Sequence, residues 1–115
     1  MEKYFFEQQP KEAELTHFVG GSALLFHFGT VETEGGYESY ELCVGFNDPS
    51  QMSYDNIVSN IVRQKYSSDA VEAILNNYLN DLEAGREEFE DLQDWRAQAK
   101  AWAKKGLELI EEEQK

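Results

Sequence analysis

Two histidines and one cysteine are the residues of this sequence best suited to carry chemistry. His27 and Cys43 lie on two neighbouring segments with strand-like alternation, so a hairpin would bring an imidazole base near a thiol nucleophile. No third residue in the pattern orients such a base, and His17 and His27 alone do not complete a metal site. We expect His27 to be a half-exposed sheet residue, and we predict no catalytic, cofactor-binding or metal-binding residues and a protein that is not an enzyme.

The charge balance limits the classes of partner. The sequence has 23 acidic and 10 basic residues, which give a formal net charge of −13. A surface this negative repels phosphate backbones and anionic lipid headgroups. We therefore expect no direct binding of nucleic acid and no membrane association. The expected partner is another protein or a second copy of the chain.

Length and composition indicate one folded domain spanning residues 1–115. A hydrophobic fraction of 41% and an aromatic fraction of 13% are too high for a disordered acidic tail. Cys43 is the only cysteine, which fits a reducing compartment. The sequence shows neither a signal-peptide pattern nor an apolar run of membrane-spanning length. The expected location is the cytoplasm.

The first part of the chain is expected to form a small antiparallel sheet. Residues 22–46 have the pattern of a hairpin of two strands, with Gly35-Gly36 in the turn between them. Residues 3–8 are a candidate third strand, and residues 11–19 fit a helical turn nearly as well as an extended run. An isolated hairpin is only marginally stable in water, so a further strand or a helix must cover it.

Three helices are predicted for the second part, over residues 53–66, 69–84 and 86–113. Ser53 is a candidate N-cap, Asp69 begins the second helix with capping-box spacing, and Gly85 is placed to end it. The predicted fold class is therefore α+β, with the small sheet packed against three helices. The second helix carries a continuous apolar stripe that we expect to be core, formed by Val71, Ile74, Leu75, Tyr78, Leu79 and Leu82.

The third predicted helix carries apolar residues at heptad spacing, with large tryptophans alternating with small residues. Its length of about 40 Å exceeds the roughly 25–30 Å core expected for a chain of this size. One interpretation is that the seam packs on the sheet and helices of its own domain. The other is that its C-terminal part is a surface for a partner or for self-association, with the candidate residues Trp95, Trp102, Gly106, Leu109 and Ile110.

Five acidic residues crowd the first turns of the same helix: Glu87, Glu88, Glu90, Asp91 and Asp94. They suit the positive end of the helix macrodipole and a solvated face. A rigid row of carboxylates can also imitate phosphates, so the alternative function is an acidic nucleic-acid mimic that inhibits a DNA-binding protein. Two features weaken this alternative. Acidic residues are spread along the whole chain, and the acidic run is interrupted by Arg96, Lys100, Lys104 and Lys105.

The C-terminal half carries a resemblance in three stretches, residues 53–69, residues 72–78 and residues 95–100. These segments resemble small proteins carried on prophages and mobile elements of gut bacteria. The resemblance implies an accessory or structural role and transfers no functional residue. The favoured function is thus a non-enzymatic protein–protein interaction or a small structural or accessory role, and an enzyme of unrecognised type is the third hypothesis.

Overall fold

A computed structural model describes residues 2–114, which form a four-stranded sheet and three α-helices, confirming the predicted α+β class. The strands are β1 (Glu2–Phe6), β2 (Ala13–Phe18), β3 (Gly21–Thr33) and β4 (Gly36–Phe46). A 3-10 turn at Pro49–Gln51 leads into the helices α1 (Tyr54–Lys65), α2 (Ser68–Asn80) and α3 (Arg86–Gln114).

The sheet has the strand order β1-β4-β3-β2, and each neighbouring pair is antiparallel. The predicted hairpin is β3 and β4, and Gly35 in their turn has a φ of 84°, a conformation that favours glycine. The candidate third strand is β1. Residues 11–19, which the sequence left open between helix and strand, contain the extended strand β2, because only an extended chain sets Ala13 and Leu15 beside Phe26 and Leu24 on one face.

One face of the sheet packs against α1 and α3 and forms the core. Every second residue of β3 and β4 points to this face of the sheet, and residues three and four apart on the two helices point back at it. The buried cluster joins strand residues to helix residues, and its members are Leu24, Phe26, Leu42, Val44, Phe46, Ile57, Ile61, Trp95, Ala99, Trp102, Ala103 and Ile110.

The molecule is a flat slab measuring 47 × 41 × 21 Å, which explains how the whole of α3 remains within the fold. Its 29 residues extend about 43 Å. The core diameter estimated from chain length assumes a nearly spherical domain, whereas one sheet and one helical layer make a thinner and longer body. The length of α3 is therefore no evidence for an unpartnered end.

α2 lies at the edge of the helical layer and packs mainly on α3. Ile74 is its buried residue, whereas Leu79 and Leu82 are 74% and 55% exposed. The prediction that the whole apolar stripe belongs to the core is thus wrong for these two leucines. The reason is that α2 packs mainly on α3, so its apolar surface is wider than its contact, and Leu82 lies beyond the end of the helix at Asn80.

The ends of α2 also differ from the prediction. The N-cap is Ser67, whose hydroxyl accepts a hydrogen bond from the Ala70 backbone N–H, and the C-cap is Asp81. Gly85 does not cap this helix. It is buried at the start of α3, where a Cβ atom would lie 2.7 Å from the Tyr78 Cα atom. A glycine at this position therefore allows α2 and α3 to approach closely. Among residues 2–114, no helix is long and apolar enough to span a bilayer.

Candidate functional site

Of the two residues that could have formed a catalytic pair, His27 is held in structural contacts and Cys43 is exposed. His27 is only 5% exposed, and its ring lies between the Lys11 carbonyl oxygen, 2.6 Å from Nδ1, and the Glu41 carboxylate, 3.0 Å from Nε2. Both partners are acceptors, so a ring that satisfies both donates from both nitrogens. Cys43 lies opposite Leu25 and is exposed. Partial desolvation of the thiol and the charge of Glu41 raise the pKa of Cys43.

This geometry does not form the Cys43–His27 pair that the strand pattern allowed. The prediction that His27 is half-exposed is also wrong. The connection between β1 and β2 crosses this face of the sheet, as shown by the Lys11 contact and by the His27 backbone N–H, which donates to the Glu12 carbonyl oxygen at 2.9 Å. The alternating pattern of β3 placed His27 on the correct face of the sheet. The local sequence does not show that the connection between β1 and β2 covers this face.

The candidate interaction residues of α3 are part of the core. Trp95, Trp102 and Ile110 are 7%, 1% and 6% exposed, Gly106 is buried, and Leu109 is half-buried. They pack against the strands and against one another, with the Phe26 and Trp102 rings stacked at 5.4 Å and the Trp95 indole N–H donating to the Ile61 carbonyl oxygen. Their assignment to an exposed surface is therefore wrong, because the sheet covers the side of α3 on which these residues lie.

A groove of about 470 Å³ lies where α1, α2 and α3 meet, and it is the strongest candidate for a functional site. Part of its lining is apolar, from residues of α1 and α2 that are each half-buried. Three lining residues are basic, and we call the site the basic groove. The apolar lining consists of Val58, Val62, Tyr66 and Val71, and the basic residues are Arg63, Arg96 and Lys100.

The local charge of the basic groove opposes that of the whole protein. Three of the ten basic residues line it, and no acidic residue does. Arg63, Arg96 and Lys100 take part in none of the ion pairs within residues 2–114. Their positive charges are therefore available to a ligand, in a chain with a formal net charge of −13.

Helical spacing brings the basic side chains together. Gln93, Arg96 and Lys100 are separated by three and four residues, so they share one flank of α3. Arg63 reaches the same space from the last turn of α1. Ser68, the first residue of α2, also lines the groove, so the partial positive charge of that helix end lies close by.

Tyr66 closes α1 and contributes a phenol to the basic groove. Its backbone N–H donates to the Val62 carbonyl oxygen as the C-cap of the helix. Burial, together with the carboxylates of Asp91 and Glu88, raises the pKa of the hydroxyl. The phenol therefore remains neutral and can donate a hydrogen bond at physiological pH.

A second cavity of about 400 Å³ continues the groove along α1 and shares Ser59 and Arg63 with it. Its other lining residues carry side-chain amides: Asn56, Asn60 and Gln64. The combined site thus offers positive charge, amide hydrogen bonds and apolar surface. Within residues 2–114, no group of three or more His, Cys, Asp or Glu side chains is arranged to hold a metal ion. The arrangement favours binding of an anionic group that carries an apolar neighbour.

The sequence shows the positions of these basic residues, but not that they lie together in the fold. In the sequence, Arg96 and Lys100 read as interruptions of an acidic helix, and Arg63 as a polar residue of another helix. Their convergence depends on how α1 crosses α3, which periodicity does not specify. The available signal was the absence of nearby acids at i±4 from Arg96 and Lys100 on their common flank.

No family model, no curated protein and no solved structure matches this chain. The chemistry of the basic groove therefore carries the functional argument.

Proposed function

We propose that the protein is a non-enzymatic interaction module that binds an acidic segment of a partner protein in the basic groove. One observation carries this proposal: Arg63, Arg96 and Lys100, which have no ion-pair partner among residues 2–114, converge on a groove of about 470 Å³ with an apolar side. Carboxylates of the partner would bind the guanidinium groups, and an aliphatic side chain would contact the valines.

The mixed lining supports an acidic peptide over a nucleic acid. A nucleic acid extends well beyond one groove, and its phosphates would then meet acidic residues elsewhere on the chain, which has 23 of them. Electrostatic interactions are screened over about 10 Å at 0.1 M salt. A short acidic segment therefore experiences mainly the local basic residues, whereas a long polyanion also experiences the net charge of −13.

The resemblance to small prophage and mobile-element proteins supports an accessory role for such a module. The alternative, a nucleic-acid mimic, has no comparable observation in its favour. A mimic needs a continuous negative face. Arg96 and Lys100 interrupt such a face, because they lie on the helix that carries most of the clustered acidic residues, and both line the basic groove.

The location of binding is tested by titrating the isotope-labelled protein with a blocked eight-residue peptide of alternating glutamate and leucine. We expect saturable changes in the backbone amide signals around Arg63, Ser68 and Arg96, and weaker binding as salt rises. A matched peptide with glutamine in place of glutamate is the control. Equal binding of the two peptides, or changes confined to another surface, would contradict the proposal.

A second copy of the chain is one potential source of the acidic segment. Sedimentation velocity over a range of concentrations distinguishes this case. Association that is lost in Arg96→Gln and retained in Lys104→Gln would identify a second copy as the ligand of the groove. A monomer at all concentrations that still binds the acidic peptide would identify a different protein.

A further inference from the structure

A cavity of about 340 Å³ lies on the opposite flank of α3 and, unlike the basic groove, has acidic residues in its lining. Asp91, Asp94 and Gln98 line it from α3, at positions roughly half a turn away from Arg96. Three aromatic side chains and one lysine complete the lining. We call this site the aromatic pocket, and its remaining members are Phe28, Trp95, Trp102 and Lys65.

The aromatic rings of this pocket are fixed by the core. The Trp95 ring lies 5.7 Å from the Phe28 ring at 64° and 5.7 Å from the Trp102 ring at 88°. The Trp95 indole N–H donates to the Ile61 carbonyl oxygen at 3.1 Å, which sets the orientation of the ring. Trp102 is only 1% exposed, so the rigid indole face that a ligand can reach is that of Trp95, which is 7% exposed with the Lys65 ammonium over its ring.

The pocket already holds a cation from its own chain. The Lys65 ammonium lies 4.7 Å from the centre of the Trp95 ring, which is within the range of a cation–π contact. Lys65 takes part in none of the ion pairs within residues 2–114, although Asp91 and Asp94 line the same cavity. It is the last residue of α1, is exposed, and has a flexible side chain. Its ammonium can leave the indole face without disturbing the fold.

We propose that the aromatic pocket is a second binding site, which takes an organic cation of the guanidinium or quaternary ammonium type, and that Lys65 is its intramolecular occupant. Tryptophan is the strongest π partner for such cations, and partial desolvation strengthens the contact. The carboxylates of Asp91 and Asp94 at the same cavity add attraction for a positive charge. An incoming cation must displace the Lys65 ammonium from the Trp95 ring, so the lysine lowers the affinity of the pocket for that cation.

The test uses two cationic probes, tetramethylammonium chloride and arginine methyl ester, with tert-butanol as an uncharged probe of similar shape to the first. Ionic strength is held constant with sodium chloride. Binding is followed by the indole N–H signal of Trp95 in the labelled full-length chain. We expect Lys65→Ala to bind a cationic probe about three- to fivefold more tightly than the wild type, the factor expected for one competing cation–π contact. Lys104→Ala, a substitution of an exposed lysine on α3, should bind like the wild type.

The carboxylates provide the second arm of the test. Asp91→Asn combined with Asp94→Asn should weaken binding of the same probe at least threefold, whereas Glu108→Gln on the exposed side of α3 should have no effect. Preference for arginine methyl ester identifies a protein side chain as the ligand, and preference for tetramethylammonium identifies a quaternary ammonium. The proposal is overturned if Lys65→Ala and the more conservative Lys65→Gln both bind like the wild type, or if tert-butanol shifts the Trp95 signal as strongly as the cations do.

Discussion

Replacing Gly106 by alanine tests whether the small residues of α3 contact the sheet or face a partner. An added Cβ atom at this position would lie 2.7 Å from Leu24 Cδ1 and 3.4 Å from Phe26 Cζ. Carbon atoms pack at about 3.5–4.0 Å, so the Leu24 methyl group must retreat by about 1 Å or the helix must move. Leu24 and Phe26 are both fully buried, so a shift of either side chain displaces other core atoms.

Two opposing free-energy contributions decide whether Gly106→Ala raises or lowers the free energy of unfolding. Alanine in place of glycine stabilises a helix interior by about 1 kcal/mol. Overpacking of a close-packed core costs about 1–3 kcal/mol. The close contact with Leu24 favours the second term, so we expect Gly106→Ala to lower the free energy of unfolding by about 1 kcal/mol. On a surface free of contacts, the same substitution would instead raise it by about 1 kcal/mol.

Urea unfolding followed by tryptophan fluorescence measures this difference. Ala101→Gly, at an exposed position of the same helix, calibrates the helix-propensity term. Leu24→Val should relieve the contact, so the double variant should be more stable than the two single effects predict when added. A stabilised Gly106→Ala variant with no coupling to Leu24 would refute the placement of this seam against the sheet.

Three further outcomes are expected. Ile61→Ala, at a fully buried position, should cost about 2–5 kcal/mol, whereas Leu79→Ala, at a residue that is 74% exposed, should cost less than about 1 kcal/mol; paired urea curves compare the two. Gly85→Ala should cost more than about 1 kcal/mol in thermal or urea unfolding, because the added Cβ meets backbone atoms that cannot rotate away. Lys105 lowers the pKa of Glu12 through a hydrogen bond, so this pair stabilises the fold above the ordinary pKa of 4.5 and the effect is lost as the pH falls through the lowered value. The stability advantage of the wild type over Lys105→Gln should therefore be complete above pH 4.5 and should shrink as the pH falls below it.

The local patterns predicted the elements of this fold well. Alternation in residues 22–46 and the glycines at 35–36 predicted the β3–β4 hairpin, and Ser53 predicted the start of α1. Residues 11–19 stayed ambiguous because Leu15, Phe18 and Val19 suit a helical turn as well as a strand. Pairing with β3 decides between the two, across a two-residue turn at Val19-Gly20 whose local signal is Gly20, with a φ of 95°.

The candidate site was predicted less well, because it depends on how elements meet. The heptad seam of α3 correctly grouped Trp95, Trp102 and Gly106 on one side of the helix, but periodicity does not say what lies against that side. The chain-length estimate of a spherical core then favoured an exposed end, whereas the domain is a slab. Arg63 and Arg96 are more than 30 residues apart in the sequence, so only the crossing of α1 and α3 reveals that they line one groove.

The most direct test of the proposed function is the affinity of the basic groove for the glutamate–leucine peptide, measured by isothermal titration at 0.1 M salt. The combined variant Arg63→Gln, Arg96→Gln and Lys100→Gln removes the three positive charges, and Lys104→Gln is the matched control on α3. We predict that the combined variant binds at least about fivefold more weakly, since three partly exposed charge contacts together contribute about 1–3 kcal/mol, and that the control binds within twofold of the wild type. Equal affinities of the wild type and the combined variant would contradict the proposed function.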